Sequence, residues 1–249
     1  NNGYAWSVVS GEDTDPVTIG TETPIHENNP HYAILHVPSS GARLLNSGFD
    51  GIVLKKGERY DFSCFARTGQ GGKGGKVVVS LIDKNNQEIA SATIKVTSKN
   101  WKKCQAVLTA ESDIQDARLC IAPSAGGAYH FDMVSLFPQN TFKGRKNGLR
   151  ADLAQTLADL HPRFVRFPGG CVAHGDGIDN MYDWKGSIGP LEARKPLRNL
   201  WGYHQTRGLG YFEFFQFSED IGAEPVPVLA AGVPCQNSGG GTQYGHDEL

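Results

Sequence analysis

The chain has 249 residues, enough for one large domain or two ordinary ones, with a formal net charge of −2 and 31 glycines. Charges of both signs are scattered, no basic stripe carries interleaved aromatics, and no apolar run is long enough to span a membrane, so neither nucleic acid nor a bilayer is indicated as partner. Five cysteines, Cys64, Cys104, Cys120, Cys171 and Cys235, lie far apart without a CxxC pair, which argues against a structural zinc site and indicates no disulfide framework.

In chain order, residues 1–139 read as short strands separated by polar or glycine-rich turns: His31–Val37, Gly51–Leu54, Arg59–Arg67, Lys76–Ile82, Glu88–Val96, Trp101–Thr109, Ala117–Ala122 and His130–Phe137. Tyr60, Phe62 and Cys64, like Val77, Val79 and Leu81, recur at every second position, the period-2 pattern of a half-buried strand. Asp83-Lys84-Asn85-Asn86 is a hairpin-type turn. Eight or so strands without a helix predict a β-sandwich of jelly-roll type. Tyr32, Trp101, Tyr129 and Phe131 are its candidate sugar platform, although aromatics on strands are more often core.

From residue 140 the pattern changes. Asn147 is the expected N-cap of a helix carrying Leu149, Leu153, Leu157 and Leu160. A strand Phe164–Phe167 follows, then a long glycine- and aspartate-rich connection, a second helix from about Gly208 to Ile221 stopped by Gly222, and a strand Glu224–Leu229. Helix and strand alternate as in a parallel α/β sheet, with too few repeats here to close a barrel. The first of these strands ends in Pro168-Gly169-Gly170-Cys171, and the carboxyl end of a strand is where such folds bind ligands.

Six ordered blocks carry a resemblance: Arg166-Phe167-Pro168-Gly169-Gly170-Cys171, Tyr182-Asp183-Trp184-Lys185, Ile188-Gly189-Pro190, Trp201-Gly202-Tyr203, Gly208-Leu209-Gly210-Tyr211-Phe212-Glu213 and Glu219-Asp220-Ile221-Gly222-Ala223-Glu224-Pro225. Over about residues 140–240 they resemble glycoside hydrolase family 51, the α-L-arabinofuranosidases. The resemblance implies a sandwich akin to carbohydrate-binding modules over 1–139 and the early part of a (β/α)8 barrel over 140–249. It implies a retaining glycosidase acting on arabinose-containing glycans without metal or organic cofactor, periplasmic or extracellular rather than cytoplasmic. Gly169, Gly170 and Cys171 would form the floor of the sugar pocket and Trp201 its wall, with no catalytic residue in the chain, since the family's acid/base and nucleophile glutamates would lie beyond it. A carbohydrate-binding protein acting through the sandwich is the alternative.

Other readings stay bland. Glu213 is expected as a partly buried helix residue, Glu219 and Asp220 as solvated, Glu192 as a loop residue with the cleft as its alternative, and Asp176, Asp179 and Asp183 as turn residues. Cys171 paired with His174 would be a nucleophile only with a third, orienting group, which is not evident. Trp184 leans structural, Arg166 would need a carboxylate if buried, and Asn237 is either a pocket or a turn residue. A phosphate cradle at Gly169-Gly170 is rejected because no helix is expected to open there. The terminal His246-Asp247-Glu248-Leu249 matches an endoplasmic-reticulum retention signal, a reading held as minor.

Overall fold

A computed structural model describes residues 5–11, 16–39, 41–70 and 72–235. Asn237 and His246–Leu249 lie outside the described residues. The chain divides into two compact units, Asn1–Ile25 with Pro30–Ala151, and His26–Asn29 with Asp152–Leu249.

Among its described residues the first unit has eleven strands: β1 (Trp6–Ser10), β2 (Val17–Gly20), β3 (Tyr32–Val37), β4 (Ala42–Asn46), β5 (Ile52–Leu54), β6 (Arg59–Thr68), β7 (Gly75–Ile82), β8 (Glu88–Val96), β9 (Lys102–Thr109), β10 (Ile114–Pro123) and β11 (Gly127–Pro138). They pair into two antiparallel sheets, β1-β4-β10-β7-β8 with β5 beside β10, and β2-β3-β11-β6-β9. The expected alternation is the reason the sheets stack: Tyr60, Phe62, Cys64 and Ala66 on β6 and Val77, Val79 and Leu81 on β7 enter one apolar core, joined by Leu35, Leu108, Ile121, Tyr129 and Phe131. Burying side chains of this size stabilises by about 1.5–3 kcal/mol each before conformational entropy is subtracted. Asp83 makes the predicted hairpin turn, its carboxylate accepting from the amides of Asn85 (2.8 Å) and Gln87 (2.7 Å) while Asn86 takes φ 64°.

The strand list is extended, and the core reading that the sequence favoured for the four aromatics holds for Tyr32, Tyr129 and Phe131. The strands β1, β2 and β4 are additional to those read from the sequence. Of the four candidate platform aromatics, Tyr129 and Phe131 are fully buried core, stacked at 6.4 Å. Tyr32 is buried too and meets Trp101 edge-on at 5.1 Å, with Arg67 packed against both, its guanidinium carbon 4.5 Å from the indole and 5.1 Å from the phenol. Arg67 also donates to His130 Nδ1 (3.1 Å), Thr23 Oγ1 (2.7 Å) and the Tyr32 hydroxyl (2.9 Å). Those rings are committed to one another.

On β11 the register shifts between Asp132 and Ser135, where Met133 takes φ 48°. The strand bulges there, with one residue more than its partner β6.

In the second unit, α1 (Ala151–Asp159) is followed by β12 (Phe164–Phe167), α2 (Gly170–His174), β13 (Leu197–Arg198), β14 (His204–Gln205), α3 (Tyr211–Ile221) and β15 (Glu224–Pro227), with three single 3₁₀ turns between α2 and β13. The first helix begins later than predicted: Asn147 sits in a turn at φ 51°, and its capping role is withdrawn. Strands β12 and β15 pair in parallel, Phe164 opposite Glu224 through Phe167 opposite Pro227, and α3 is the crossover between them. Gly222 stops α3 as expected, in the left-handed conformation at φ 69°. The core is small: Phe167, Tyr182, Leu197 and Tyr211, with Val165, Val172 and Phe214 against it.

Candidate active site

Phe167 anchors the end of β12, stacked on Phe214 at 4.8 Å and edge-on to Tyr211 at 5.3 Å. Beyond it the Phe167–Pro168 bond is cis, and Gly169 takes φ 124°, a conformation open to glycine and costly for other residues. The chain then enters α2 at Gly170, with Cys171 in its first turn. A helix therefore does open directly after the glycines, contrary to the reason given for rejecting a phosphate cradle; at five residues it is too short to hold an anion by its dipole.

Cys171 and Trp201 line one narrow cavity of about 10 Å³, together with Val172, Asn180, Asn199 and Gln205. That is about the space of one water molecule. Trp201 comes from the turn between β13 and β14, which the sequence reading treated as plain connection. Asn199 builds the turn: its side-chain oxygen accepts from the amides of Trp201 (3.0 Å) and Tyr203 (3.3 Å), and its own amide donates to the Tyr203 carbonyl (3.1 Å). Trp201 is left 58% exposed, held by its backbone rather than by packing of its ring. Asn199 is itself buried, and its side-chain nitrogen has no hydrogen-bond partner among the described residues. Gly169 and Gly170 set the path into this cavity without lining it. Arg166 is exposed on β12, beside Gly170, so the question of a buried charge there disappears.

A wider cleft of about 730 Å³ is lined by Trp184, Ile188, Arg194, Tyr211, Glu213, Phe215 and Leu229, among others. Glu213 is its carboxylate, and it is fully engaged. Arg194, nearly buried, forms two bonds with it (2.9 and 2.7 Å), and the Gly210 amide adds a third at 2.9 Å. Burial alone would raise the Glu213 pKa, but these hydrogen bonds outweigh it and the net shift is downward. Such a carboxylate cannot carry a proton to a leaving group near neutral pH, which agrees with the bland expectation. The buried Arg194 itself was missed; Glu213 three residues after Gly210, at the position of a capping-box acid, was the available hint. Burial also pushes the Tyr211 phenol up to about 12, and its hydroxyl donates to the Val228 carbonyl at 2.6 Å.

The remaining candidates are placed as follows. Asp183 accepts from the Lys185 amide (3.0 Å) and Asp176 pairs with Arg198, both local roles. Glu192 lies on a 3₁₀ turn, Leu191–Ala193, outside the lining of either cavity. His174 Nδ1 is held at the Val233 carbonyl, so that nitrogen is not turned to Cys171. No cluster of three or more His, Cys, Asp or Glu residues among the described residues is arranged to hold a metal.

Residues 156–249 match the family model described as the α-L-arabinofuranosidase 1 domain. An extracellular exo-α-L-arabinofuranosidase of Streptomyces chartreusis is 41% identical over 83% of this chain, and α-L-arabinofuranosidase 1 of Arabidopsis thaliana is 37% identical over 79%. An arabinose-bound family 51 α-L-arabinofuranosidase superposes on 98% of the chain with a TM-score of 0.86 at 31% identity. The chain spans only 26%, 29% and 40% of those three proteins, respectively. By sequence and by fold, it belongs to glycoside hydrolase family 51, the α-L-arabinofuranosidases.

Proposed function

We propose that the chain is part of a retaining α-L-arabinofuranosidase that removes arabinofuranosyl residues from arabinose-containing glycans, and that it contributes part of the sugar pocket. The observation that carries this is the meeting of Cys171 and Trp201 in one cavity at the carboxyl end of β12. The cavity holds about one water, so the furanose would lie outside it, its apolar face on the exposed indole of Trp201 and a hydroxyl directed at the gap that leads to Cys171. In the proposed domain division residues 1–139 are the jelly-roll sandwich, similar to carbohydrate-binding modules, and 140–249 the early part of a (β/α)8 barrel. The β12–α3–β15 crossover supports the barrel, being the unit from which such barrels are built.

The catalytic glutamates belong, on this reading, to strands outside the 249 residues. One would protonate the leaving oxygen while the other forms an arabinosyl ester that water cleaves. Gly169 and Gly170 shape the turn that carries the chain from β12 to Cys171, and Asn199 holds Trp201 in position. No cofactor enters the proposed reaction. An extracellular or periplasmic setting fits a glycan substrate and the extracellular relative from Streptomyces chartreusis.

The test compares release of p-nitrophenol from p-nitrophenyl α-L-arabinofuranoside by this chain and by a form extended at both ends. Activity in the extended form only is expected. Activity of the 249 residues alone, lost in Glu213→Gln or Glu192→Gln, would show that the chemistry has been misplaced. Silence from both forms would overturn the proposal.

A further inference from the structure

Strands β6 and β9 set Cys64 directly opposite Cys104 in antiparallel register, so both side chains leave the sheet on one face. The two thiols are close enough for each to shift the titration of the other. Opposed residues in such a pair have Cα atoms about 4.5–5.5 Å apart, inside the span of about 4.4–6.8 Å that a disulfide bridges. Both cysteines are reduced in this structure.

The environments of the two sulfurs differ. Cys64 is fully buried in the middle of β6. Cys104 is half-buried on β9, an edge strand, with its sulfur 3.8 Å from the carbonyl oxygens of Lys95 and Lys102. Lys95 belongs to β8, the edge of the other sheet, so Cys104 lies where the sandwich opens to solvent. The interaction with Cys64, aided by the nearby Lys102 charge, lowers the Cys104 pKa to about 7 against the opposing effect of burial. The same interaction, with burial, pushes Cys64 upward. In this structure the Cys104 thiol donates to the two carbonyls. With a pKa of about 7, a substantial share of it is thiolate at neutral pH, while Cys64 behind it stays protonated, the division of labour that thiol–disulfide exchange requires.

We propose that Cys64 and Cys104 form a modification site, a dithiol that low-molecular-weight disulfides such as oxidised glutathione convert into a cross-strand disulfide. The Cys104 thiolate attacks one sulfur of the glutathione disulfide, forming a mixed disulfide and releasing a glutathione thiolate. Cys64 then gives its proton to water, attacks the Cys104 sulfur and releases the second glutathione thiolate. Two protein thiols lose two electrons and two protons, and one glutathione disulfide becomes two molecules of glutathione. The new bond fastens the edge strand β9 to β6 and encloses β7 and β8 between its ends.

The experiment treats the reduced full chain with oxidised glutathione at neutral pH, blocks remaining thiols and maps tryptic peptides without reduction. Tyr60–Arg67 and Cys104–Arg118 each contain one cysteine, and they should appear as one linked species, lighter by two hydrogens (about 2 Da) than the sum of the two peptides. Cys64→Ser should stop at the glutathione adduct on Cys104, and Cys104→Ser should leave Cys64 unmodified. The linked wild-type chain should also melt several degrees higher than the reduced one. The wild-type map decides even if a variant fails to fold. A lasting glutathione adduct on wild-type Cys104, unmodified Cys64 and Cys104, or a link to Cys120, Cys171 or Cys235 would overturn the proposal. None of these outcomes bears on the arabinofuranosidase reading, because neither cysteine belongs to the sugar cavity.

Discussion

Arg194 and Glu213 show how a charge survives inside a small core. Arg194 is almost wholly buried and donates two parallel hydrogen bonds to Glu213, which also caps the start of α3 by accepting from the Gly210 amide. Removing one partner strands the other: Arg194→Ala should cost about 3 kcal/mol, read from urea unfolding of the second unit. Glu213→Gln keeps the shape and one acceptor, and should cost less. With its pKa lowered, Glu213 contributes stability present above the unfolded carboxylate value and lost as pH falls through the folded one.

Two neighbours on β11 act in opposite directions. His130, desolvated and beside Arg67, is lowered to about 4, whereas burial raises Asp132 to about 6. Between about pH 6.5 and 4 the unfolded chain takes up the histidine proton first, so that contribution weakens as pH falls. Asp132 holds a proton in the fold that the unfolded chain has released, so its contribution is present below about pH 4 and lost as pH rises through 6. The two slopes oppose each other across that window. His130→Gln should therefore leave a sandwich whose stability declines with rising pH there, and Asp132→Asn one whose stability climbs more steeply. Urea midpoints measured across the window distinguish them; unchanged slopes in both variants would refute the assignment.

Among the elements, the longer strands were legible, whereas the short β1 and β2 and the double-faced β4 were not. Strand β6 alternates because every second residue is only partly buried, whereas on β7 Val77, Val79 and Leu81 keep the period although Ser80 and Ile82 are buried on the other face. Strand β4 does not keep it: Leu44 joins the main core while Leu45 packs with Ile82 and Cys120 on the opposite face, so adjacent leucines conceal the period. On α1 the leucine spacing correctly marked a helix, yet Leu153 and Leu157 are exposed and Ala154 is the buried residue. The sugar-cavity candidates were legible as a motif, but Asn199 was not, since its role depends on a turn that only the β13–β14 pairing reveals. Asn199→Ala should loosen that turn by about 1–3 kcal/mol, visible as faster hydrogen exchange at the Trp201 and Tyr203 amides, with partial rescue by Asp. The entry to α3 is equally strict. A Cβ on Gly210 would run into the Ser187 carbonyl, so Gly210→Ala should cost about 1–3 kcal/mol even though its φ of −115° suits any residue.

At the scale of the whole molecule, the two units differ in how much apolar material they enclose. The sandwich core joins residues from both sheets, whereas four buried side chains form the main cluster of the second unit. Calorimetry should show the second unit unfolding first and the sandwich at higher temperature; a single sharp transition would contradict this.

The bulge at Met133 has a consequence for how this strand tolerates changes of length. Before it, the odd positions Tyr129 and Phe131 enter the core; after it, the even positions Val134 and Leu136 pack against that core. Losing one residue from the middle of a core strand ordinarily turns every later side chain to the wrong side. Here the strand already contains one supernumerary residue, and excising Met133 would bring Val134 and Leu136 into step with Phe131 instead of out of it. A core strand of this sandwich thus has a site where a single-residue deletion regularises the ladder, making it a natural point at which the lineage could gain or lose a residue without rebuilding the interior.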